Sequence, residues 1–198
     1  MLKVRKGCTV PLNEKLFEGY EKKEKYIYAN VDSDKIIDVL NHFIVMHDEP
    51  LFFILELPTK LDNENIIQPN IIECLHKDVY YIDGCNKEEA LTILLRIGDL
   101  LVNDGLCSFG VGAHHSHNEI MVGKYNLISF IENKQGFFDD FLEVHDIQPV
   151  EKLITAWDTF TKEYPGESER VITDGKDVFD IPEMFKDWGI YLAERREE

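Results

Sequence analysis

His114-His115-Ser116-His117-Asn118-Glu119-Ile120-Met121-Val122-Gly123-Lys124-Tyr125-Asn126-Leu127-Ile128-Ser129-Phe130-Ile131 reads as two strands folded back on each other. Roughly His114 to Val122 forms the first strand and Tyr125 to Ile131 the second. Gly123-Lys124 is the link, with glycine in the first position as a type II′ turn prefers. A two-residue connection can only join antiparallel neighbours, so this ribbon sets the expectation for the sheet around it.

Moving toward the N-terminus, Leu106 to Val111 is a further strand, and Asn103-Asp104-Gly105 before it closes a helix with a glycine suited to a left-handed cap. That helix opens at Asn86, three places before Glu89 as in a capping box, and Leu91, Leu94, Leu95, Ile97, Leu100 and Leu101 supply its buried stripe. Val79 to Ile82 is a short strand, and the polar stretch from Thr59 to Asp78 reads as a long surface connection. Tyr26 to Val31 alternates like a strand, Asp32 or Ser33 caps a helix carrying Ile36, Ile37, Leu40, Phe43 and Ile44, and Leu51 to Leu57 suits a strand buried on both faces. Toward the C-terminus, Phe137 to Val144 returns to helical spacing, Leu153 to Trp157 fits either state, Asp174-Gly175 marks a hairpin, and Pro182 opens a last helical segment. The resulting expectation is a single α+β domain over residues 1–198, with a mostly antiparallel sheet of about six to eight strands covered by three or four helices.

The chain has 198 residues, 44% of them hydrophobic, enough for a sizeable core without a linker or low-complexity tract. The N-terminal residues are too short and polar a run to lead a secretory signal, and the most apolar run, Leu51 to Leu57, is far below the roughly 18 to 20 residues that span a bilayer. A cytoplasmic location is expected. Cys8, Cys74, Cys85 and Cys107 are isolated from one another, which implies reduced thiols and no zinc ribbon. Thirty-eight acids against twenty-one bases give a net charge of −17. That balance opposes binding to nucleic acid or to an anionic membrane and favours a basic protein partner, although acidic surfaces also serve solubility alone.

Three of the seven histidines fall within His114–His117. If Val122 pairs with Tyr125, counting back sets Glu119 opposite Ile128, His117 opposite Phe130 and His115 opposite Glu132. Side chains alternate along a strand, so His115, His117, Glu119 and Glu132 would share one face. Two imidazoles and two carboxylates are a fitting set for an open site holding a divalent transition metal such as zinc, whose bound water would be the nucleophile of a hydrolase. Histidines at a loop or sheet edge also commonly do no more than hydrogen-bond in water, and on that reading there is no cofactor. The spacing departs from the cupin pattern, because only Asn118 separates His117 from Glu119, and nothing is carried over from that family. Gly110-Val111-Gly112 lacks the third glycine of a dinucleotide fingerprint. Cys107 reads as a structural thiol, and no catalytic residue can be named. His145 beside Asp146, and Asp158 beside Trp157, fit a cleft lining or ordinary solvated partners equally well.

Between Glu132 and Asp146, acids alternate with aromatics. A helix there would turn Phe137, Phe138 and Phe141 to one side and leave Asp139, Asp140 and Glu143 largely opposite. The plain reading is a core stripe under a solvated face. The sharper one is a partner-binding surface of Asp139, Asp140, Glu143 and Phe137, where carboxylates attract a basic protein and an aromatic anchors it.

Pro50-Leu51-Phe52-Phe53 through Leu57-Pro58, His76 through Gly84, and Leu153-Ile154-Thr155-Ala156-Trp157-Asp158-Thr159-Phe160 resemble a family of small acidic cytoplasmic proteins from Gram-positive bacteria. The likeness spans most of the chain. That family comes with no established activity, so the resemblance implies a bacterial cytoplasmic origin and lends no catalytic residue. The functional expectation is an acidic protein-binding module, with neutralisation of a basic toxin in the manner of an immunity protein as its specific form and a metal-dependent hydrolase as the alternative.

Overall fold

A computed structural model describes residues 1–60, 63, 66–68, 71–72, 75–133, 138 and 140–197, with backbone alone at 66–68 and 71–72. In chain order the strands are β1 (Cys8–Thr9), β2 (Gly19–Lys23), β3 (Tyr26–Asn30), β4 (Leu51–Pro58), β5 (Ile66–Gln68), β6 (Ile71–Ile72), β7 (His76–Cys85), β8 (Ser108–Ala113), β9 (Asn118–Val122), β10 (Leu127–Ile131), β11 (Glu167–Ser168) and β12 (Tyr191–Glu197). The helices are α1 (Ile36–Met46), α2 (Lys87–Asn103) and the four-residue α3 (Ile181–Met184). Eight strands form one antiparallel sheet in the order β12-β7-β4-β8-β9-β10-β3-β2; β1 pairs with β11 and β5 with β6. The class is α+β as expected, with more strands in total than the sequence suggested.

The hydrophobic core lies between one face of this sheet and α1 and α2. Leu51, Phe53, Leu55 and Leu57 of β4, Phe109, Val111 and Ala113 of β8, and Ile120 and Val122 of β9 alternate onto that face, as a period of two requires. Phe138, Phe141, Leu142 and Ile147, then Val178, Ile181 and Phe185, close the same core. Ile54 is also buried although it points to the opposite face, so β4 is covered on both sides. Opposite Phe52 in the ladder stands Gly112, and the Phe52 ring lies where a Cβ would otherwise be, with a ring carbon 2.0 Å from that point. The Met121 sulfur uses the space over Gly110 in the same way, at 2.6 Å. The Gly-Val-Gly run is therefore a packing device of a sheet interior.

The Asn86–Glu89 capping box forms as expected, with Glu89 N–H donating to Asn86 Oδ1 at 2.8 Å and Asn86 N–H donating to Glu89 Oε2 at 2.9 Å. The other two expected caps are corrected. α1 begins at Ile36 without a side-chain cap, because the Asp32 carboxylate accepts the Lys3 N–H at 2.7 Å instead. α2 ends on extended Asp104 in place of a left-handed glycine, and its buried carboxylate accepts N–H donors from Leu106, Cys107 and Val171. Gly105 is needed for another reason: a Cβ there would stand 1.9 Å from the Gly7 carbonyl oxygen. Asp174 and Gly175 do form a tight turn with both residues at positive φ, closed by paired hydrogen bonds between Thr173 and Lys176. In the segment from residue 137 to 144 the described residues form turns leading into a short 3-10 turn at Glu143–His145. Leu95, assigned to the buried stripe of α2, is 87% exposed.

The N-terminal segment enters this framework through Arg5, whose side chain is 1% exposed. Its guanidinium donates to the carbonyls of Val102 at 3.0 Å, Leu101 at 2.7 Å, Gly123 at 2.9 Å and Cys107 at 3.4 Å. Replacing Arg5 with methionine strands these acceptors away from water and lowers the unfolding free energy by about 3 kcal/mol. Urea denaturation will register that loss, whereas Lys6→Met on the exposed neighbour stays within about 0.5 kcal/mol.

Candidate functional site

The β9–β10 hairpin exists, but its turn is longer than two residues. Tyr125 and Asn126 take positive φ, Gly123 N–H donates to the Leu127 carbonyl at 2.8 Å, and Val122 pairs with Ile128. The expected partner of Val122 was Tyr125, so the register moves by three residues and the face assignment changes with it. Glu119 now stands opposite Ile131 and Gly112, on the face away from α1 and α2. Glu132 is 4% exposed on the core side, where its carboxylate accepts the Phe138 N–H. His115 and His117 belong to the four-residue turn between β8 and β9, and both are exposed. The four residues expected to hold a metal are thus not gathered on one face. Among the described residues no three His, Cys, Asp or Glu side chains stand close enough to share an ion.

Two histidines of that turn have local roles. His114 Nε2 lies 2.6 Å from Asp83 Oδ1 and its ring meets the Phe52 ring edge-on. His117, at φ 56°, turns the chain so that its N–H reaches the Ala113 carbonyl at 2.9 Å. Asn118 leaves the turn on the core side and donates to His47 Nε2 at 3.0 Å, while His47 Nδ1 donates to the Phe43 carbonyl at 2.7 Å. These bonds fix the neutral tautomer of a ring that is 2% exposed. Burial lowers its pKa from the ordinary value of 6.5, with the Phe43 carbonyl and Asp48 opposing. Glu119 moves the other way: burial raises its carboxyl, Glu56 adds to this, and Arg196 opposes it. Burial pushes the Cys107 thiol up to about 12, which leaves it protonated and fits the structural role expected from the sequence.

The partner-binding set is placed in part. Asp140 and Glu143 are exposed, as is Asp146, while Phe138, Phe141 and Leu142 from the same segment fill the core; Phe137 and Asp139 lie outside the described residues. Phe141 carries a feature that the sequence does not signal: His42 of α1 stacks on it at 4.5 Å, and His42 Nδ1 lies 3.0 Å from His145 Nε2. The His145 ring has its pKa lowered by burial and by His42, with Asp38 opposing and Lys35 adding. Nothing in the spacing of His42 and His145, 103 residues apart, announces their meeting.

The helical side of the molecule therefore displays Asp34, Asp38, Glu88, Asp99, Asp140, Glu143 and Asp146 to solvent. Its cations are engaged: Lys35 donates to Glu18 at 2.7 Å, Lys87 to the Val45 carbonyl at 2.8 Å, and Arg96 sits over the Phe185 ring at 4.5 Å. Val45, Leu95 and Val144 are exposed apolar residues among these acids. Across the sheet, charges are paired more evenly, with Lys77 and Arg196 on Glu56 and Arg195 on Asp78. A depression of about 650 Å³ beside β2 and β3 is lined by Glu21, Lys23, Tyr28 and Lys152, but Glu21 already accepts the Leu153 N–H and pairs with Lys23.

Comparison with family models, with curated proteins and with solved structures gave no match. No helix among the described residues is long and apolar enough to cross a membrane.

Two measurements check this arrangement. His117→Gly relieves the left-handed strain and raises stability by up to about 1 kcal/mol, His117→Val lowers it, and His115→Ala leaves the melting temperature unmoved. The second is a pH effect. Because the folded values of His47 and His145 lie below 6.5, the unfolded chain takes up protons first on acidification. Stability is complete above pH 6.5 and falls below it toward those folded values, and in His47→Gln the fall in denaturation midpoint is shallower.

Proposed function

We propose that this protein is a non-enzymatic binding module of the bacterial cytoplasm that engages a basic protein through its acidic helical side, in the specific form of an immunity protein that neutralises a basic toxin. The observation that carries the reading is the concentration of outward carboxylates on one side, from Asp34 and Asp38 through Glu88 and Asp99 to Asp140, Glu143 and Asp146, with apolar side chains standing between them. Protein interfaces combine an apolar anchor with complementary charge, the charge governing encounter and the anchor governing residence. The net charge of −17 supports the same direction. Phe138 and Phe141 belong to the core, and Val45 and Leu95 on the neighbouring helices are exposed apolar residues beside these acids.

The test is capture from a bacterial lysate by the immobilised protein at low and then at raised ionic strength. The expected result is a basic protein, identified by mass, that is held at low salt and released as salt screens the contact. A variant with Asp140, Glu143 and Asp146 changed to asparagine or glutamine holds it less well. Retention insensitive to salt, or equal in the variant, would overturn the reading.

A further inference from the structure

The outer surface of the helical pair is not closed over. α1 and α2 run antiparallel, since Lys87 at the start of α2 reaches the Val45 carbonyl at the end of α1, while Gly98 near the end of α2 lies against Ile37 at the start of α1. Between them runs a groove of about 490 Å³ lined by Ile37, Asn41, Glu88, Leu91, Thr92 and Leu95. Leu95, exposed by 87%, is the last of the α2 residues along it, and Val45, exposed by 58%, follows Asn41 one helical turn further along α1. An exposed leucine alone is ordinary, but here it is continuous with half-buried Ile37 and Leu91 in a concave surface.

Carboxylates predominate around this groove, Arg96 beside Leu95 being turned over the Phe185 ring. Glu88, Leu95 and Asp99 follow at spacings that place them on one stripe of α2, and Asp38, Asn41 and Val45 do the same on α1, with Asp34 in the turn just before it. Asp34 is partly neutralised by Lys3 at 2.9 Å, and Lys87 is turned onto the helix end. The result is an apolar trough between acidic rims, the complement of a helix with leucine-like residues on one face and Lys or Arg on the flanks.

We infer that the α1–α2 groove is the docking site for a basic amphipathic helix of the partner protein, an inference that rests on the acidic-binding reading above. Leu95 and Ile37 take the apolar face of that helix, and Asp38, Glu88 and Asp99 take its cations.

The probe is a fluorescent peptide of leucine and lysine patterned as an amphipathic helix, with a scrambled peptide of the same composition as control, titrated by anisotropy against the whole protein at low salt. The amphipathic peptide is expected to bind more tightly than the scrambled one, and Leu95→Asp is expected to weaken it about tenfold or more, as loss of an apolar anchor does. Because Leu95 is almost fully exposed, that variant keeps its circular dichroism and melting temperature. Glu88→Gln with Asp99→Asn provides a second readout, a shallower dependence of affinity on salt. Equal affinity for both peptides, with no effect of Leu95→Asp, overturns the groove while leaving a general acidic attraction standing. Failure of both peptides to bind at low salt overturns both readings together.

Discussion

The charge of Arg5 is the constraint around which the chain is assembled. A guanidinium removed from water is costly unless its donors are met, and here they are met by main-chain carbonyls from three separate places: the end of α2, the residue before β8, and the β9–β10 turn. The last carbonyls of a helix have no partners within it and carry the negative end of its dipole, so a cation is well placed there. The Arg5 N–H donates to Asn126 Oδ1, and Asn126 in turn donates to the carbonyls of Lys3 and Val31. One residue near the start of the chain thereby holds the closing turn of the hairpin, the exit of the long helix and the end of β3 in register with one another.

What the sequence disclosed and what it concealed follow one physical line. The apolar run at Leu51–Leu57, the capping pair at Asn86 and Glu89, and the turn at Asp174-Gly175 are local statements, and each takes in the structure the form that its residues imply. The hairpin is legible in its existence and not in its register, because Tyr125 and Asn126 adopt positive φ that their side chains do not advertise, held by Asn126 contacts reaching far along the chain. The expected ligand set depends on that register and disperses with it. His42 meeting His145 is out of reach for a related reason, being fixed by how α1 sits against its neighbours, whereas the exposure of Leu95 follows from the stripe it shares with Glu88 and Asp99.

The two sides of the sheet are built on different terms. Toward the helices, alternate residues of the central strands are aliphatic or aromatic and almost wholly buried. On the other side Gly110 and Gly112 let Met121 and Phe52 lie flat against the backbone, and the charged residues beyond them are largely paired. Unbalanced charge is consequently left to the helices, which also carry the unburied aliphatic residues.

The last strand, Tyr191–Glu197, forms a margin of the eight-stranded sheet and is exposed along its whole length, whereas at the opposite margin β2 exchanges hydrogen bonds with Gln148 and Val150. Its residues Glu194-Arg195-Arg196-Glu197 favour a helix by intrinsic preference, and the pairing with β7, together with the Arg195 and Arg196 ion pairs, overrides it. A bare strand edge invites another chain to add itself, and charged residues are the usual guard against such uncontrolled growth. The composition that disguises this strand also acts as its gatekeeper against self-association and aggregation.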